Sequence, residues 1–163
     1  MMKVSAIALA MTSSAVPAAA QSSLAMTGAA PVAVQRCAIL APTWRCFRHH
    51  AEMKRTASDI PGGIRAVTES EDPRVASLIQ EHVSAMYAHL DREQPFPYPM
   101  SRSVPKMFAN SSRYHRRLTI LPKGIAVTET SNDPEMIQVI RLHAREINGF
   151  VNDGMPAMMR GMM

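Results

Sequence analysis

Two stretches of the chain, 61 positions apart, place apolar residues at helical spacing. The apolar residues of the first stretch are Val75, Leu78, Ile79, Met86 and Leu90. Those of the second stretch are Met136, Val139, Ile140, Ile147, Phe150 and Val151. Such spacing collects each set on one face of a helix. The sequence therefore predicts two amphipathic helices, ending near Leu90 and Asn152.

An aspartate and a proline precede each predicted helix, as Asp72-Pro73 and as Asp133-Pro134. Aspartate at the N-cap accepts a backbone N–H, and proline is tolerated at the first helical position because that N–H needs no partner. Asp153-Gly154 then provides a stop for the second helix. We expect both helices to start at these prolines.

Proline and glycine also interrupt the extended stretches that come before the helices. The segments are IPGGI (60–64) and LPKGI (121–125), each flanked by residues that favour strands. Proline followed by glycine between two such arms is typical of a β-hairpin. The order hairpin, then helix, occurs twice.

Aligning the chain with itself at an offset of 61 gives eleven identities, which fall at turn, cap and core positions. We infer an internal repeat over 47–91 and 108–152, with the proline-rich segment 92–107 as an extended connection. The predicted fold class is α+β: a tandem duplicated ββα unit forming a four-stranded antiparallel sheet with two helices packed on one face. Residues 47–154 would form a single domain.

The N-terminal residues 1–20 combine Lys3, a short apolar run and an Ala18-Ala19-Ala20 end, which is typical of a secretory signal peptide. We predict cleavage near Ala20 and a periplasmic or secreted protein that does not span a membrane, because no later apolar run is long enough. Residues 21–46 would be a flexible segment. In an oxidising compartment Cys37 and Cys46 would form a disulfide.

The formal net charge is +5, and a basic run, RYHRR, occupies 113–117. Such a run can mark a nucleic-acid or anionic-lipid surface, but a solvated strand surface is the favoured interpretation. Export also argues against nucleic acid as a partner. A protein partner in the envelope and a homodimer both stay open.

His82 and His143 are the candidate ligands, because each follows the first apolar residue of its helix by seven positions and so shares the apolar face. His49 or His50, ahead of the first hairpin, would supply a third imidazole, and Asn110 would stand in the place of a fourth. Three imidazoles with one open position suit zinc, copper or a non-covalent haem iron. The alternative is that each helix histidine is a hydrogen-bonded core residue. His89 and His115 have no histidine counterpart, and we expect them at the surface.

A methionine-rich tail, residues 155–163, ends the chain. Thioethers are soft ligands that select Cu(I), so this tail favours copper over zinc. The alternative is an apolar end that fills gaps on the core. The candidate accessory copper ligands are Met158, Met159, Met162 and Met163.

The segments VTESEDP and VTETSNDP, each followed by a helix with I-x-x-H, resemble a set of small exported bacterial proteins. Members of that set carry two V-T-E-[ST] segments closed by D-P, with a further histidine before each hairpin. The resemblance covers about 47–152 and implies an architecture and a histidine pattern rather than a reaction. It carries over to His82, His143 and His49 or His50, and departs at Asn110.

The predicted function is an exported metal- or haem-binding protein that uses core-facing histidines from both repeats, with copper favoured. The alternative is a non-catalytic interaction or structural module of the envelope. Enzymatic chemistry is less favoured, since the sequence has no G-x-S-x-G, H-E-x-x-H, P-loop or dinucleotide fingerprint. Glu129 and the other acids near the strand ends are expected to be cap or strand-end residues.

Overall fold

Two β-hairpins pair to form one antiparallel sheet. The computed structural model describes residues 44–92, 101–154 and 156–157. Strands β1 (Met53–Ile60) and β2 (Gly63–Ser70) form the first hairpin. Strands β3 (His115–Leu121) and β4 (Gly124–Thr130) form the second. The second strands of the two hairpins lie side by side, so the order is β1-β2-β4-β3.

A long helix follows each hairpin: α1 (Pro73–Leu90) in the first repeat and α3 (Pro134–Asp153) in the second. The predicted caps are confirmed. Asp72 Oδ1 accepts a hydrogen bond from the Arg74 N–H at 2.8 Å, and Asp133 Oδ1 accepts one from the Glu135 N–H at 2.9 Å. A proline occupies the first helical turn in both. The four strands and two helices confirm the predicted α+β class.

A short helix precedes each hairpin, which the sequence analysis did not predict. Helix α2 (Val104–Ala109) leads into a 3₁₀ turn, Ser111–Arg113, and residues 44–48 are helical ahead of the turn His50–Glu52. The expectation of an extended connection is therefore wrong from Val104 onward. Residues 44–46, assigned to a flexible segment, belong to the fold.

The two repeats are related by a pseudo-twofold axis that passes between Ala66 and Val127, which face each other in the sheet. The hairpins have the same register: the pair Arg55↔Thr68 becomes Arg116↔Glu129 when both members move by 61 positions. Two hydrogen bonds at the turns are also related by the offset of 61 positions. The Ser70 N–H donates to Lys123 O at 2.9 Å, and the Ser131 N–H donates to Gly62 O at 2.8 Å.

Glycine is required where the central strands meet. A Cβ at Gly63 would lie 1.9 Å from Glu129 O, and a Cβ at the equivalent Gly124 would lie 2.1 Å from Thr68 O. Both contacts are far below a normal carbon–oxygen separation. The lack of a side chain at these two positions therefore allows β2 and β4 to pair over their full length.

The core lies between the inner face of the sheet and the two long helices. Its most deeply buried members include Ile64 and Ile79 in the first repeat and their equivalents, Ile125 and Ile140, in the second. A second cluster closes one end of the layer. Its members are Phe47, Leu90, Val104, Phe108 and Phe150.

Several predictions fall on parts of the chain outside the described residues: the signal peptide 1–20, Cys37, and the tail residues Met158, Met159, Met162 and Met163. Cys46 carries a free thiol and is buried. Its predicted disulfide with Cys37 stays a prediction. None of the helices in the described part of the chain is both long and apolar enough to cross a membrane.

Candidate functional site

A cavity of about 140 Å³ lies between the sheet and the two long helices. Most of its wall is apolar, and both repeats contribute to it. A small set of polar side chains interrupts this wall, which is the usual composition of a ligand site. These polar residues are Arg55, Thr68, His82, Tyr87, Glu129 and His143.

His82 on α1 and His143 on α3 both line the cavity, at repeat-equivalent positions. Both residues are half-buried. Protein atoms otherwise surround both rings, and this burial lowers the pKa of each imidazole from 6.5 to about 4. The Arg55 guanidinium and His82 lower the pKa of His143 further, against Glu146, which raises it. Both imidazoles are therefore neutral at pH 7.

The Nδ1 atom of His143 lies 3.0 Å from the hydroxyl oxygen of Ser103, which precedes α2 and is fully buried. The same hydroxyl donates to Glu146 Oε2 at 2.6 Å. Glu146 is one helical turn beyond His143 on α3, so hydroxyl, imidazole and carboxylate form a compact group. Sequence reasoning missed Ser103 and Glu146, because only the packing of the 101–109 segment on α3 brings them together.

The Glu146 carboxylate accepts hydrogen bonds from both serine hydroxyls and from the backbone of the same segment. Ser101 Oγ donates at 2.5 Å, and the N–H groups of Arg102 and Ser103 donate at 3.0 and 3.3 Å. Burial alone would raise the pKa of Glu146, but these donors outweigh it and lower that pKa. The carboxylate is therefore held in its ionised form.

Two polar groups at repeat-equivalent positions lie on the sheet side of the cavity. In the first, Arg55 donates from Nη1 to Thr68 Oγ1 at 2.7 Å and from Nε to Asn148 Oδ1 at 2.9 Å. The residues at the equivalent positions are Arg116, Glu129 and Tyr87. There the Tyr87 hydroxyl donates to Glu129 Oε1 at 2.9 Å, whereas Arg116 donates to Ser111 O and to Asp91 instead.

Glu129 lies near the end of β4, as expected, but its side chain is buried, with 4% of its surface exposed. Burial raises its pKa, although Tyr87, Arg55 and Arg116 act in the opposite direction. The same environment raises the pKa of the Tyr87 hydroxyl. The alternation Ile125, Val127, Glu129 along β4 was the available signal, because every second residue of a strand faces the same side.

Four sulfur-containing side chains line the cavity together with the histidines: Cys46, Met53, Met86 and Met107. Burial raises the pKa of the Cys46 thiol to about 12, so this residue is a protonated thiol at neutral pH. The thiolate is the form that binds metals. The three thioethers bind a metal without deprotonation, whereas Cys46 would have to release its proton on binding.

His49 and His50 do not join this group, contrary to the sequence-based expectation. His49 is exposed and donates from Nδ1 to Glu52 Oε1 at 2.7 Å. His50 donates from Nδ1 to Val151 O at 3.1 Å, and its ring packs against the backbone of Gly154. The 3₁₀ turn ahead of β1 carries both rings away from the cavity. Asn110 is likewise outside it, since its amide caps α2 by donating to Lys106 O at 2.8 Å.

His115 is exposed, as expected, but His89 is buried with 4% of its surface accessible. His89 is the repeat equivalent of Phe150. Phe150 packs on Phe47 of the other repeat, and His89 packs in the same way on Phe108, with ring centroids 5.2 and 5.3 Å apart respectively. The alignment of the two repeats contained this information, since it places His89 at a core position.

Within the described residues, no group of three or more His, Cys, Asp or Glu side chains could hold a metal ion. The predicted set of three imidazoles is therefore absent from the described residues, and two of its members, His82 and His143, line the cavity. The chain matches no protein-family model, no curated protein and no solved structure in the comparisons with known proteins. Functional inference consequently depends on the cavity itself.

Proposed function

We propose that this protein binds a copper ion in the cavity, with His82 and His143 as nitrogen ligands from the two repeats. One observation carries the proposal: two neutral imidazoles at equivalent positions face a single cavity that three thioethers also line. Met53, Met86 and Met107 are the candidate sulfur ligands. Imidazole suits copper in both of its common oxidation states, and thioether selects Cu(I).

The donor set favours copper over the other metals that the histidines alone would allow. Zinc sites are usually closed by thiolates, further histidines or carboxylates, in a tetrahedral set of four. The cavity offers three thioethers instead, and within the described residues Cys46 does not form, with the two histidines, a group of three that could hold a metal ion. Haem is also disfavoured, because a cavity of about 140 Å³ is smaller than the pockets of roughly 300–1,000 Å³ that hold drug-sized ligands.

The proposed setting is the cell envelope, which follows from the predicted signal peptide. An exported protein meets copper before the cytoplasm does, and the tail residues Met158, Met159, Met162 and Met163 would supply an accessory Cu(I) site. The tail would then bind Cu(I) first, and the cavity would hold the ion afterwards.

The test is a Cu(I) competition titration of the full chain against a chromophoric chelator under anaerobic conditions. We expect one tightly held ion, and at least about 100-fold weaker binding in the His82→Ala/His143→Ala double variant, since even indirect partners of metal ligands contribute 10–100-fold. His115→Ala removes an exposed imidazole and is the matched control. A double variant with the affinity of the native chain would exclude the cavity as the site.

A second candidate function, a structural or interaction module of the envelope, is favoured by the hydrogen bond between His143 and Ser103. A hydrogen-bonded imidazole needs no ligand to account for its burial. This alternative predicts the same thermal midpoint with and without equimolar Cu(I). Copper binding to the native state alone would raise the midpoint.

A further inference from the structure

The His143 imidazole can protonate either ring nitrogen, and the choice decides which nitrogen is available to a ligand. A neutral imidazole has one N–H donor and one lone-pair acceptor. The group around Nδ1 therefore determines the state of Nε2. Three residues define that group: His143, Ser103 and Glu146.

The Ser103 hydroxyl has one proton and three oxygen or nitrogen neighbours within hydrogen-bond distance. Glu146 Oε2 is the nearest at 2.6 Å, His143 Nδ1 is at 3.0 Å, and Ser101 Oγ is at 3.2 Å. The carboxylate is surrounded by donors, two of which are backbone N–H groups that cannot accept. Glu146 must therefore accept, and the Ser103 proton is directed at it.

The Ser103 oxygen is then left as an acceptor for His143, whose Nδ1 must carry the proton. We propose that Ser103 and Glu146 act as positioning residues that hold His143 in its Nδ1-protonated tautomer, so that Nε2 is the atom presented to a ligand. The tautomer is a property of the ligand-free protein. Its use in copper binding rests on the proposed function.

Metal-binding histidines generally donate their second N–H to a carboxylate or another acceptor, which orients the ring and makes the ligating nitrogen more basic. Here a serine hydroxyl relays that effect from Glu146 to His143. The first repeat has Ala85 at the position equivalent to Glu146. The carboxylate therefore supports the histidine of the second repeat alone.

The direct test is long-range ¹H–¹⁵N correlation NMR of the ligand-free chain labelled with ¹⁵N-histidine, at a pH above 7. The His143 signals are assigned by their loss in His143→Gln. We expect an Nδ1-protonated ring in the native chain. An Nε2-protonated ring would overturn the inference, whatever the outcome of copper titrations.

Ser103→Ala removes the acceptor, and we expect a mixture of tautomers together with Cu(I) binding that is about 10–100-fold weaker. Ser101→Ala is the matched control, because that hydroxyl also donates to Glu146 but has no hydrogen bond to His143. It should leave the tautomer unchanged. A pure Nδ1-protonated ring in folded Ser103→Ala would contradict the relay. If the tautomers behave as expected but no variant binds copper, the proposed function fails and the positioning role stands.

Discussion

The first and second repeats have the same hairpin register and the same capped helix, yet they surround their cavity histidines differently. His143 has a buried hydroxyl and a carboxylate behind it, whereas the first repeat has Ala85 where Glu146 stands. The polar groups on the sheet differ in a similar way. Thr68 and Asn148 are partners of Arg55, while their equivalents Glu129 and Tyr87 are a carboxyl group and a phenol that bond to each other.

The two repeats share the residue positions that the fold requires, and they differ at positions that the fold leaves free. Turns, caps and central core positions are equivalent in both repeats, because each ββα unit needs them to form and to cover the sheet. The cavity lining contains both kinds of position: His82 and His143 are identical, whereas Thr68 and Glu129 differ. The unlike pairs make the two sides of the cavity chemically different.

Equivalent core positions should contribute equally to the free energy of unfolding. The pair Ile79 and Ile140 tests this expectation. Both side chains are buried, with 2% and 0% of their surfaces exposed. We expect Ile79→Ala and Ile140→Ala each to lower the free energy of unfolding by about 2–5 kcal/mol. Urea denaturation measures this, with Ile120→Ala as the control, since Ile120 is 54% exposed. A small loss in only one of the two core variants would contradict the equivalence.

Substitutions at the equivalent positions Glu129 and Thr68 should lower the stability of the protein by different amounts. Glu129→Leu leaves the Tyr87 hydroxyl without its acceptor and removes the buried carboxyl group near Arg55 and Arg116, at a cost of about 3 kcal/mol. Thr68→Val removes one neutral acceptor from Arg55 and should cost about 1 kcal/mol. Equal losses in chemical denaturation would contradict a larger contribution of the Glu129 carboxyl group to stability.

Acid should destabilise the metal-free protein through the two cavity histidines. Folding lowers the pKa of His82 and His143 from 6.5 to about 4, so the unfolded chain binds protons more readily between these values. Stability is therefore lost as the pH falls from about 6.5 towards 4, by about 2–3 kcal/mol for each histidine. Thermal midpoints in a chelator-containing buffer measure this loss. The His82→Phe/His143→Phe variant lacks the two imidazoles but keeps Glu129 and Glu146. If its thermal midpoint fell with pH as steeply as that of the native chain, the loss could not come from the two histidines.

The smallest effect should come from the tail. Replacing Met158, Met159, Met162 and Met163 by leucine keeps the apolar character and removes the thioethers. Cu(I) affinity at the cavity should change less than about threefold, since the proposal gives these thioethers only an accessory role. A loss as large as that of the double histidine variant would move the principal site to the tail.

Much of the fold was predictable, because its signals are local. The Asp-Pro caps, the Pro-Gly turns and the helical spacing each act over a few residues, and the offset of 61 joins them into a repeat. His82 and His143 were also correctly placed, since a spacing of seven residues returns to the same helix face.

The rest of the site depended on tertiary packing or on a signal that was overlooked. Ser103 meets His143 only because α2 packs across α3, and no local pattern encodes that crossing. His50 was misplaced because a 3₁₀ turn intervenes before β1. Glu129 and His89, by contrast, could have been recognised as inward-facing from strand alternation and from the alignment of the repeats.

The most direct test of a copper site shared by the two repeats is copper K-edge X-ray absorption of the Cu(I)-loaded full chain. We predict imidazole scattering from two histidines together with sulfur scattering from at least one thioether. The imidazole component should disappear in His82→Ala/His143→Ala and persist in the methionine-to-leucine tail variant. A spectrum without imidazole scattering, or one that the double variant leaves unchanged, would contradict a copper site shared by the two repeats.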